Sequence, residues 1–307
     1  MGIAIVFPGQ GSQAVGMGRD LYENFPEVKA LYDEASCVLG YDLAELSFQG
    51  PAEELNRTDR TQPALLTASI AAFTALGLKG VTPTVVAGHS LGEYSALVAA
   101  GSISFADAVK LTGERGRIMQ DAVPAGKGLM AAILGLERSV LDGICSGISS
   151  GYVSAANYNC PGQIVISGEK AAVEEAMMLA REKGAKRALP LAVSVPSHCR
   201  LMEDAGERFA ELLKGVAIKE PAISFVNNTE ARFIRDPGEI RDSLVRQLSR
   251  SVLWEDCVKT IYASGVTTFI EAGPGKVLSG LIKRIAPEAR IFNVEDSATL
   301  EKVVGEI

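Results

Sequence analysis

The feature that most constrains the fold is the alternation of short apolar runs with segments of helical periodicity. This alternation is typical of α/β proteins, in which strands connected through helices form a mostly parallel sheet that is covered on both faces. The sequence therefore predicts such a sheet, with an α/β-hydrolase-like core. Its strands are expected at residues 3–7, 84–87, 223–226, 267–272 and 290–294. Helices are expected over most of residues 19–39, over 63–76 with Pro63 in the first turn, and over 198–213.

Residues 128–191 follow a different order, β-α-β-β-α-β. This order belongs to the ferredoxin-like set, and its two ends emerge near each other, so the unit can be inserted into a larger domain. We therefore expect a large α/β catalytic subdomain from residues 1–125 and 192–307. A smaller, ferredoxin-like subdomain of residues 126–191 is inserted into it.

Composition excludes several classes of protein. A formal net charge of -7 argues against a general nucleic-acid binder, which needs many Lys and Arg residues against phosphate. The N-terminus has no signal-peptide pattern, and no stretch of membrane-spanning length lacks polar residues. Five scattered cysteines without a CxxC pair argue against a disulfide framework or a metal site. We expect a cytoplasmic protein.

Ser90 is a candidate nucleophile at the centre of Gly88-His89-Ser90-Leu91-Gly92. A GxSxG pattern alone is weak evidence. Here, however, it separates a β-branched strand from a helix, which is the geometry of a nucleophile elbow. Such a turn exposes the serine hydroxyl and places the next backbone N–H at a helix N-terminus.

A nucleophilic serine needs a base, and the sequence has only two histidines. His89 precedes Ser90 directly, and neighbouring side chains at a strand end point in different directions, so His89 is better placed to support the turn. His198, which follows the predicted insert at the rim of an interdomain cleft, is therefore the candidate base. Cys199 is a rival nucleophile, but nothing near it in the sequence would lower its pKa.

The glycine-rich loops do not indicate a nucleotide cofactor. Gly273-Pro274-Gly275-Lys276 lacks the full phosphate-loop spacing and the Ser or Thr after Lys. Gly9-Gln10-Gly11 lacks the third glycine of a dinucleotide-binding pattern. We therefore expect no cofactor.

Several further segments accompany the pattern around Ser90. They are Phe7-Pro8-Gly9-Gln10-Gly11-Ser12-Gln13, Thr61-Gln62-Pro63-Ala64, Glu93-Tyr94, Arg115-Gly116, Met119-Gln120, Asn157-Tyr158-Asn159 with Pro161, Pro196-Ser197-His198 and Glu271-Ala272-Gly273-Pro274-Gly275. With these segments the sequence resembles, from end to end, the bacterial malonyl-CoA:acyl carrier protein transacylases of dissociated fatty-acid synthesis.

The resemblance implies that Ser90 forms an acyl-enzyme and that His198 acts first as base and then as acid. It also implies that Arg115 binds the malonyl carboxylate, with Gln62 and Met119 as further substrate-binding residues. From its helical position alone, Arg115 would be a solvated or ion-paired residue. A planar guanidinium can nevertheless hold a carboxylate through two parallel hydrogen bonds, and it is left unpaired when acetyl enters.

The resemblance further implies an oxyanion hole formed by the backbone N–H groups of Gln10 and Leu91. In this family the base is oriented by a main-chain carbonyl near the residue that matches Gln247, not by an acidic side chain. One departure is visible nearby, because Ser251 stands where the family usually has proline. Because of that departure, the sequence does not decide the conformation of the local turn or whether the contact at Gln247 forms.

The implied reaction is a ping-pong transfer of malonyl from malonyl-CoA to the phosphopantetheine thiol of acyl carrier protein. Because such a carrier is acidic, we expect a local cationic face for docking. Lys276, Lys283 and Arg284 have helical spacing and form one candidate, with a solvated helix face as the alternative.

Three other functions stay open at this point. The chain could be a discrete acyltransferase of a polyketide pathway, a serine thioesterase or hydrolase, or a non-catalytic carrier-binding protein. A serine hydrolase normally places its histidine near the C-terminus after an acidic residue, whereas His198 lies well before the C-terminus.

Overall fold

The computed structural model describes residues 2–124, 126–191 and 195–307, which form two sheets with packed helices. The strands, in chain order, are β1 (Gly2–Phe7), β2 (Val85–Gly88), β3 (Gly128–Leu134), β4 (Val153–Cys160), β5 (Gln163–Glu169), β6 (Arg187–Pro190), β7 (Ser224–Val226), β8 (Phe233–Ile234), β9 (Val266–Ala272) and β10 (Arg290–Val294). The predicted subdomain boundaries at residues 125 and 192 lie outside the described residues, so the division into subdomains stays a prediction.

Helices cover the sheets and connect most of the strands. They are α1 (Arg19–Asn24), α2 (Pro26–Leu39), α3 (Leu43–Gln49), α4 (Ala52–Leu55), α5 (Thr58–Leu78), α6 (Gly92–Ala99), α7 (Phe105–Ala122), α8 (Arg138–Gly147), α9 (Lys170–Glu182), α10 (Glu203–Lys214), α11 (Pro237–Ser249), α12 (Trp254–Ala263), α13 (Val277–Ile285) and α14 (Ser297–Glu306), with a 3₁₀ turn at Arg200–Met202.

The large sheet has the strand order β10-β9-β1-β2-β7-β8. Its neighbours are parallel except for the β7–β8 pair, which is antiparallel. Strand β1 is central, and its side chains alternate between two apolar cores. Ile5 and Phe7 pack into one core, and Ala4 and Val6 into the other. The predicted α/β class with a mostly parallel sheet is confirmed.

The small sheet has the order β4-β5-β3-β6 and is antiparallel throughout. Helices α8 and α9 pack on this sheet around a core that includes Ile133, Leu141, Ile166 and Val173. This order, with two helices on one face, is the ferredoxin-like arrangement predicted for residues 128–191.

Three predicted helices begin or end differently. The helix expected over residues 19–39 is divided into α1 and α2 at Phe25, which is extended because it precedes Pro26. Pro63 lies inside α5 and not in its first turn, because α5 begins earlier. The helix expected from His198 onward starts only at α10, and His198 has a left-handed backbone with φ 60°.

Helix α5 has the length and apolar composition of a membrane-crossing helix. Most of its residues are buried inside the protein, where it packs against α7, α2 and α6. Its apolar character is therefore that of a core helix. The packing of α5 on α7 also brings Gln62 of the first helix to Arg115 of the second.

Candidate active site

Ser90 lies in the turn between β2 and α6 and has a left-handed backbone with φ 51°. The two flanking glycines permit this turn by close packing of main chain. A Cβ on Gly88 would lie 1.9 Å from the backbone of Gly92. A Cβ on Gly92 would lie 2.1 Å from the carbonyl oxygen of Phe7. The GxSxG spacing here is therefore a steric requirement of a nucleophile elbow.

Asn228 closes the elbow from the neighbouring strand. Its buried side-chain amide donates to the carbonyl oxygen of Gly88 (2.7 Å) and accepts from the backbone N–H of Ser90 (2.8 Å). Sequence reasoning missed this residue. The available signal was its position just after β7, because the carboxyl ends of adjacent parallel strands meet at one edge of the sheet.

His198 is in hydrogen-bond contact with the candidate nucleophile. Its Nε2 lies 2.7 Å from the Oγ of Ser90, and its Nδ1 lies 2.7 Å from the carbonyl oxygen of Gln247. The backbone N–H of His198 donates to the carbonyl oxygen of Leu248 (3.0 Å). Both carbonyls belong to the last turn of α11, where carbonyl groups have no partner within the helix.

The contact with Gln247 fixes the chemistry of the imidazole. A carbonyl oxygen only accepts, so Nδ1 carries the proton and Nε2 presents its lone pair to Ser90. Burial, and next the positive charge of Arg115, lower the pKa of His198 to about 3. The ring is therefore neutral at physiological pH and able to accept a proton.

His89 makes contacts away from the serine hydroxyl. Its Nε2 lies 2.9 Å from the Oδ1 of Asn159 on β4, and its ring packs edge-on against Trp254 at 5.7 Å. These contacts agree with the prediction that His89 supports the turn. They also tie the elbow to the small sheet.

Arg115 is buried, with 1% of its surface exposed, so the reading from helical position alone is wrong. Its guanidinium donates to the side-chain oxygens of Gln62 (2.8 Å) and Gln247 (2.9 Å). It also lies 3.3 Å from the Oγ of Ser90. All three acceptors are neutral, and Nε has no partner among the described residues. A buried cation in this state can receive an anionic group beside the candidate nucleophile.

Gln62 contacts both Arg115 and Met119. The side-chain N–H of Gln62 points to the sulfur of Met119 at 3.6 Å, while its oxygen holds Arg115. Met119 lines the cavity next to Ser90. Gln62 therefore holds the arginine, whereas Met119 faces the space that an acyl group would occupy.

A cavity of about 110 Å³ opens beside Ser90, and Gln10 and Leu91 both line it. Neither backbone N–H donates to another group within the described residues. The loop of Gln10 lies close to the elbow, since a Cβ on Gly9 would be 2.5 Å from the carbonyl oxygen of His89. The two residues whose N–H groups the family resemblance singled out thus border one cavity.

Ser251 does not prevent the contact at Gln247. Its hydroxyl donates to the carbonyl oxygen of Ala155 on β4 (2.7 Å), and the next residue, Val252, donates to that of Ala156 (2.8 Å). The chain after α11 is therefore attached to the small sheet, and the carbonyl of Gln247 still reaches His198.

The three cations of the candidate docking face lie in or just before α13. Lys276 immediately precedes the helix, and Lys283 donates to the carbonyl oxygen of Pro287 (2.7 Å). Arg284 donates to Pro161 and Gln163 at the β4–β5 turn. Arg284 thus connects α13 to the small sheet.

Two other residues from the sequence analysis have structural contacts. The thiol of Cys199 is buried and donates to the carbonyl oxygen of Pro196 (3.2 Å), and burial raises its pKa, so it is not an activated nucleophile. The carboxylate of Glu271 accepts from the backbone N–H groups of Leu278 (3.0 Å) and Ser279 (2.7 Å). It therefore caps the first turn of α13.

Comparison with known proteins gives one consistent family. A model of the acyl transferase domain matches residues 4–305. A malonyl CoA-acyl carrier protein transacylase of Haemophilus influenzae is 52% identical over 303 residues, which cover 98% of this chain and 97% of the relative. The crystal structure of an acyl carrier protein S-malonyltransferase from Vibrio cholerae is 52% identical, with a TM-score of 0.97, covering 99% of this chain and 100% of that one. A malonyl-transacylase solved in complex with its type II polyketide synthase acyl carrier protein is 48% identical, with a TM-score of 0.98 and full coverage of both chains.

Proposed function

This chain belongs to the acyl transferase family, as a malonyl-CoA:acyl carrier protein transacylase, and from that premise we propose that Ser90 carries the malonyl group between the two thioesters. The observation that supports this proposal is the chain of contacts from Ser90 through His198 to a main-chain carbonyl, with distances of 2.7 Å and 2.7 Å. A base at this distance can remove the serine proton as the oxygen attacks.

In the first half-reaction the Oγ of Ser90 attacks the carbonyl carbon of malonyl-CoA while Nε2 of His198 takes its proton. The negative charge that develops on the thioester oxygen is accepted by the N–H groups of Gln10 and Leu91. The carbon–sulfur bond then breaks, the CoA sulfur takes the proton from His198, and a malonyl ester remains on Ser90.

The second half-reaction repeats these steps with a new nucleophile. The phosphopantetheine thiol of acyl carrier protein gives its proton to His198 and attacks the ester carbonyl. The bond to Ser90 breaks, and the serine oxygen recovers the proton from the imidazolium. The last turn of α11 favours this cation, because helix C-termini carry partial negative charge.

Intact mass spectrometry tests the acyl-enzyme. Purified protein mixed with malonyl-CoA is expected to gain the mass of one malonyl group, and Ser90→Ala is expected to gain none. An adduct that persists in Ser90→Ala, or an unmodified wild type, contradicts the role of Ser90.

Arg115 is proposed to select the acyl group. Arg115→Ala is expected to reduce the preference for malonyl over acetyl by roughly ten- to a hundredfold, the value of a charge-assisted hydrogen bond. Arg117→Ala is the matched control, because Arg117 is on the same helix but exposed and paired with Glu114 at 2.8 Å. Equal selectivity in the two variants would refute the role of Arg115.

We further propose that the carrier is that of fatty-acid synthesis, that it docks on a face containing Lys276, Lys283 and Arg284, and that the enzyme is cytoplasmic. A polyketide carrier is the second candidate, because one close structural relative was solved with a type II polyketide synthase carrier. The two carriers are allowed to compete for the malonyl-enzyme, and the carrier that receives more malonyl is the preferred acceptor. Release of free malonate instead of transfer would indicate a hydrolase.

A further inference from the structure

The side chain of Gln247 joins the acyl-selecting arginine to the elbow. It is fully buried, and its Oε1 accepts from Arg115 (2.9 Å). Its Nε2 donates to the carbonyl oxygen of Ser90 (3.0 Å) and to the carboxyl group of Glu93. Because a guanidinium only donates hydrogen bonds, the amide must keep its oxygen toward Arg115 and its NH₂ toward the other two groups.

Glu93 is a buried carboxyl group for which the reaction has no direct use. It lies in the first turn of α6, with 0% of its surface exposed. Within the described residues its hydrogen bonds come from the amide of Gln247 and, more weakly, from the backbone N–H of Asn228 (3.4 Å). Burial raises its pKa to about 8. A carboxyl group this deeply buried is costly unless its contacts serve the fold or the site.

We propose that Glu93 is a positioning residue for acyl selection: it holds the amide of Gln247 in the orientation that presents Oε1 to Arg115. The inference rests on the proposed role of Arg115 in binding the malonyl carboxylate. Glu93 does not line the substrate cavity, and its effect on acyl selection is exerted through Gln247, its stronger hydrogen-bond partner.

The expected failure without Glu93 follows from the geometry. One N–H of the Gln247 amide would lose its acceptor inside the protein, where an unpaired donor is unfavourable. The other acceptor within reach is the Oδ1 of Asn228 at 3.5 Å. A turn of the amide toward that oxygen withdraws Oε1 from Arg115. Among the described residues, the guanidinium would then keep its hydrogen bonds to Gln62 and Ser90.

Two variants of similar size separate this role from a merely structural one. Glu93→Gln keeps an acceptor oxygen for the Gln247 amide, whereas Glu93→Leu removes it. The measurement is the ratio of malonyl to acetyl adducts on Ser90 after competition between the two CoA esters in one tube. This ratio does not change with the folded fraction of a preparation.

Glu93→Leu is expected to lower the ratio by roughly tenfold, and Glu93→Gln to stay within about threefold of the wild type. The inference is overturned if Glu93→Leu keeps the wild-type ratio, or if Glu93→Gln falls as far as Glu93→Leu. Failure of the proposed function is distinct from both outcomes, because the wild type would then form no adduct on Ser90.

A third variant covers the case in which Glu93→Leu does not fold. Gln247→Met removes the amide but keeps the main-chain carbonyl that contacts His198. It is expected to reproduce the tenfold loss of malonyl preference. A wild-type ratio in Gln247→Met would show that the amide does not hold Arg115 for selection and would overturn the inference.

Discussion

Replacement of Asn228 by leucine tests how the strained serine is maintained. Leucine has a similar size but can neither donate to the carbonyl oxygen of Gly88 nor accept from the N–H of Ser90. Those two hydrogen bonds are 2.7 and 2.8 Å long and hold the two peptide groups that precede the Cα of Ser90, whose φ is 51°. Both main-chain groups would lose a partner, Gly88 in a buried hydrogen bond and Ser90 in a half-buried one.

The magnitude follows from the groups left unpaired. Each buried donor or acceptor without a partner costs about 1–3 kcal/mol, so we expect Asn228→Leu to lose roughly 2–6 kcal/mol of the free energy of unfolding. A left-handed backbone at a non-glycine residue costs of the order of 1–3 kcal/mol, so without these two hydrogen bonds the backbone of Ser90 should move to a less strained conformation. If returning Ser90 to the conformation needed for attack then costs about 3 kcal/mol, the acylation rate falls by about a hundredfold.

Asn227 provides a matched control one position away. It is equally buried, donates to the hydroxyl of Ser243 (2.9 Å) and accepts from the backbone N–H of Arg232 (3.2 Å), but it does not contact the elbow. Asn227→Leu should therefore lose comparable stability and still acylate at the wild-type rate.

The assay combines urea unfolding with single-turnover acylation of Ser90 by malonyl-CoA. Each rate is divided by the folded fraction at the assay temperature. If Asn228→Leu acylates as fast as Asn227→Leu after this correction, the idea that Asn228 maintains the nucleophile is refuted.

Two further predictions concern pH and packing. The pKa of His198 is about 3 in the folded protein and about 6.5 in the unfolded chain, so only the unfolded chain gains this proton as pH falls below 6.5, and folding weakens. Between pH 7 and pH 5 the free energy of unfolding should therefore fall by about 2 kcal/mol more in the wild type than in His198→Gln. Urea unfolding measures this free energy at each pH, and an equal fall in the two proteins would contradict the prediction. Gly92→Ala should abolish acylation, since the added Cβ would lie 2.1 Å from the carbonyl oxygen of Phe7. In the control Gly280→Ala the added Cβ meets nothing within 4 Å, and the free energy of unfolding should rise by about 0.5–1 kcal/mol. An active Gly92→Ala in the acylation assay would show that the glycine spacing is not a steric requirement.

Periodicity and local pattern were sufficient to predict the turn that presents Ser90 and the strands of both sheets except β8, a two-residue edge strand. These features depend on residues near one another in the sequence, such as the β-branched run before Gly88 and the helix after Leu91. His198 could be chosen as the candidate base because the sequence has only two histidines and the other one adjoins the serine. The structure places its Nε2 2.7 Å from the Oγ of Ser90, and its role as base stays a prediction.

The groups around these residues could not be predicted in the same way. Asn228 and Gln247 lie 138 and 157 positions from Ser90 in the sequence, and only the strand order and the end of α11 bring them to it. Tertiary contacts also displaced the helix expected at His198, whose backbone N–H bonds to Leu248 and not to a helical neighbour. Pro63 was misleading because α5 begins before it and tolerates a proline in its interior.

The support of His198 by the last turn of α11 has a consequence for how this enzyme can vary. Every amino acid has a carbonyl oxygen, so no single substitution at residues 247 or 248 deletes the acceptors of the imidazole and of its backbone N–H. A triad aspartate, by contrast, is lost through one codon change. This support depends instead on the length of α11, because one inserted residue would turn the end of the helix by about 100° and point another carbonyl at His198.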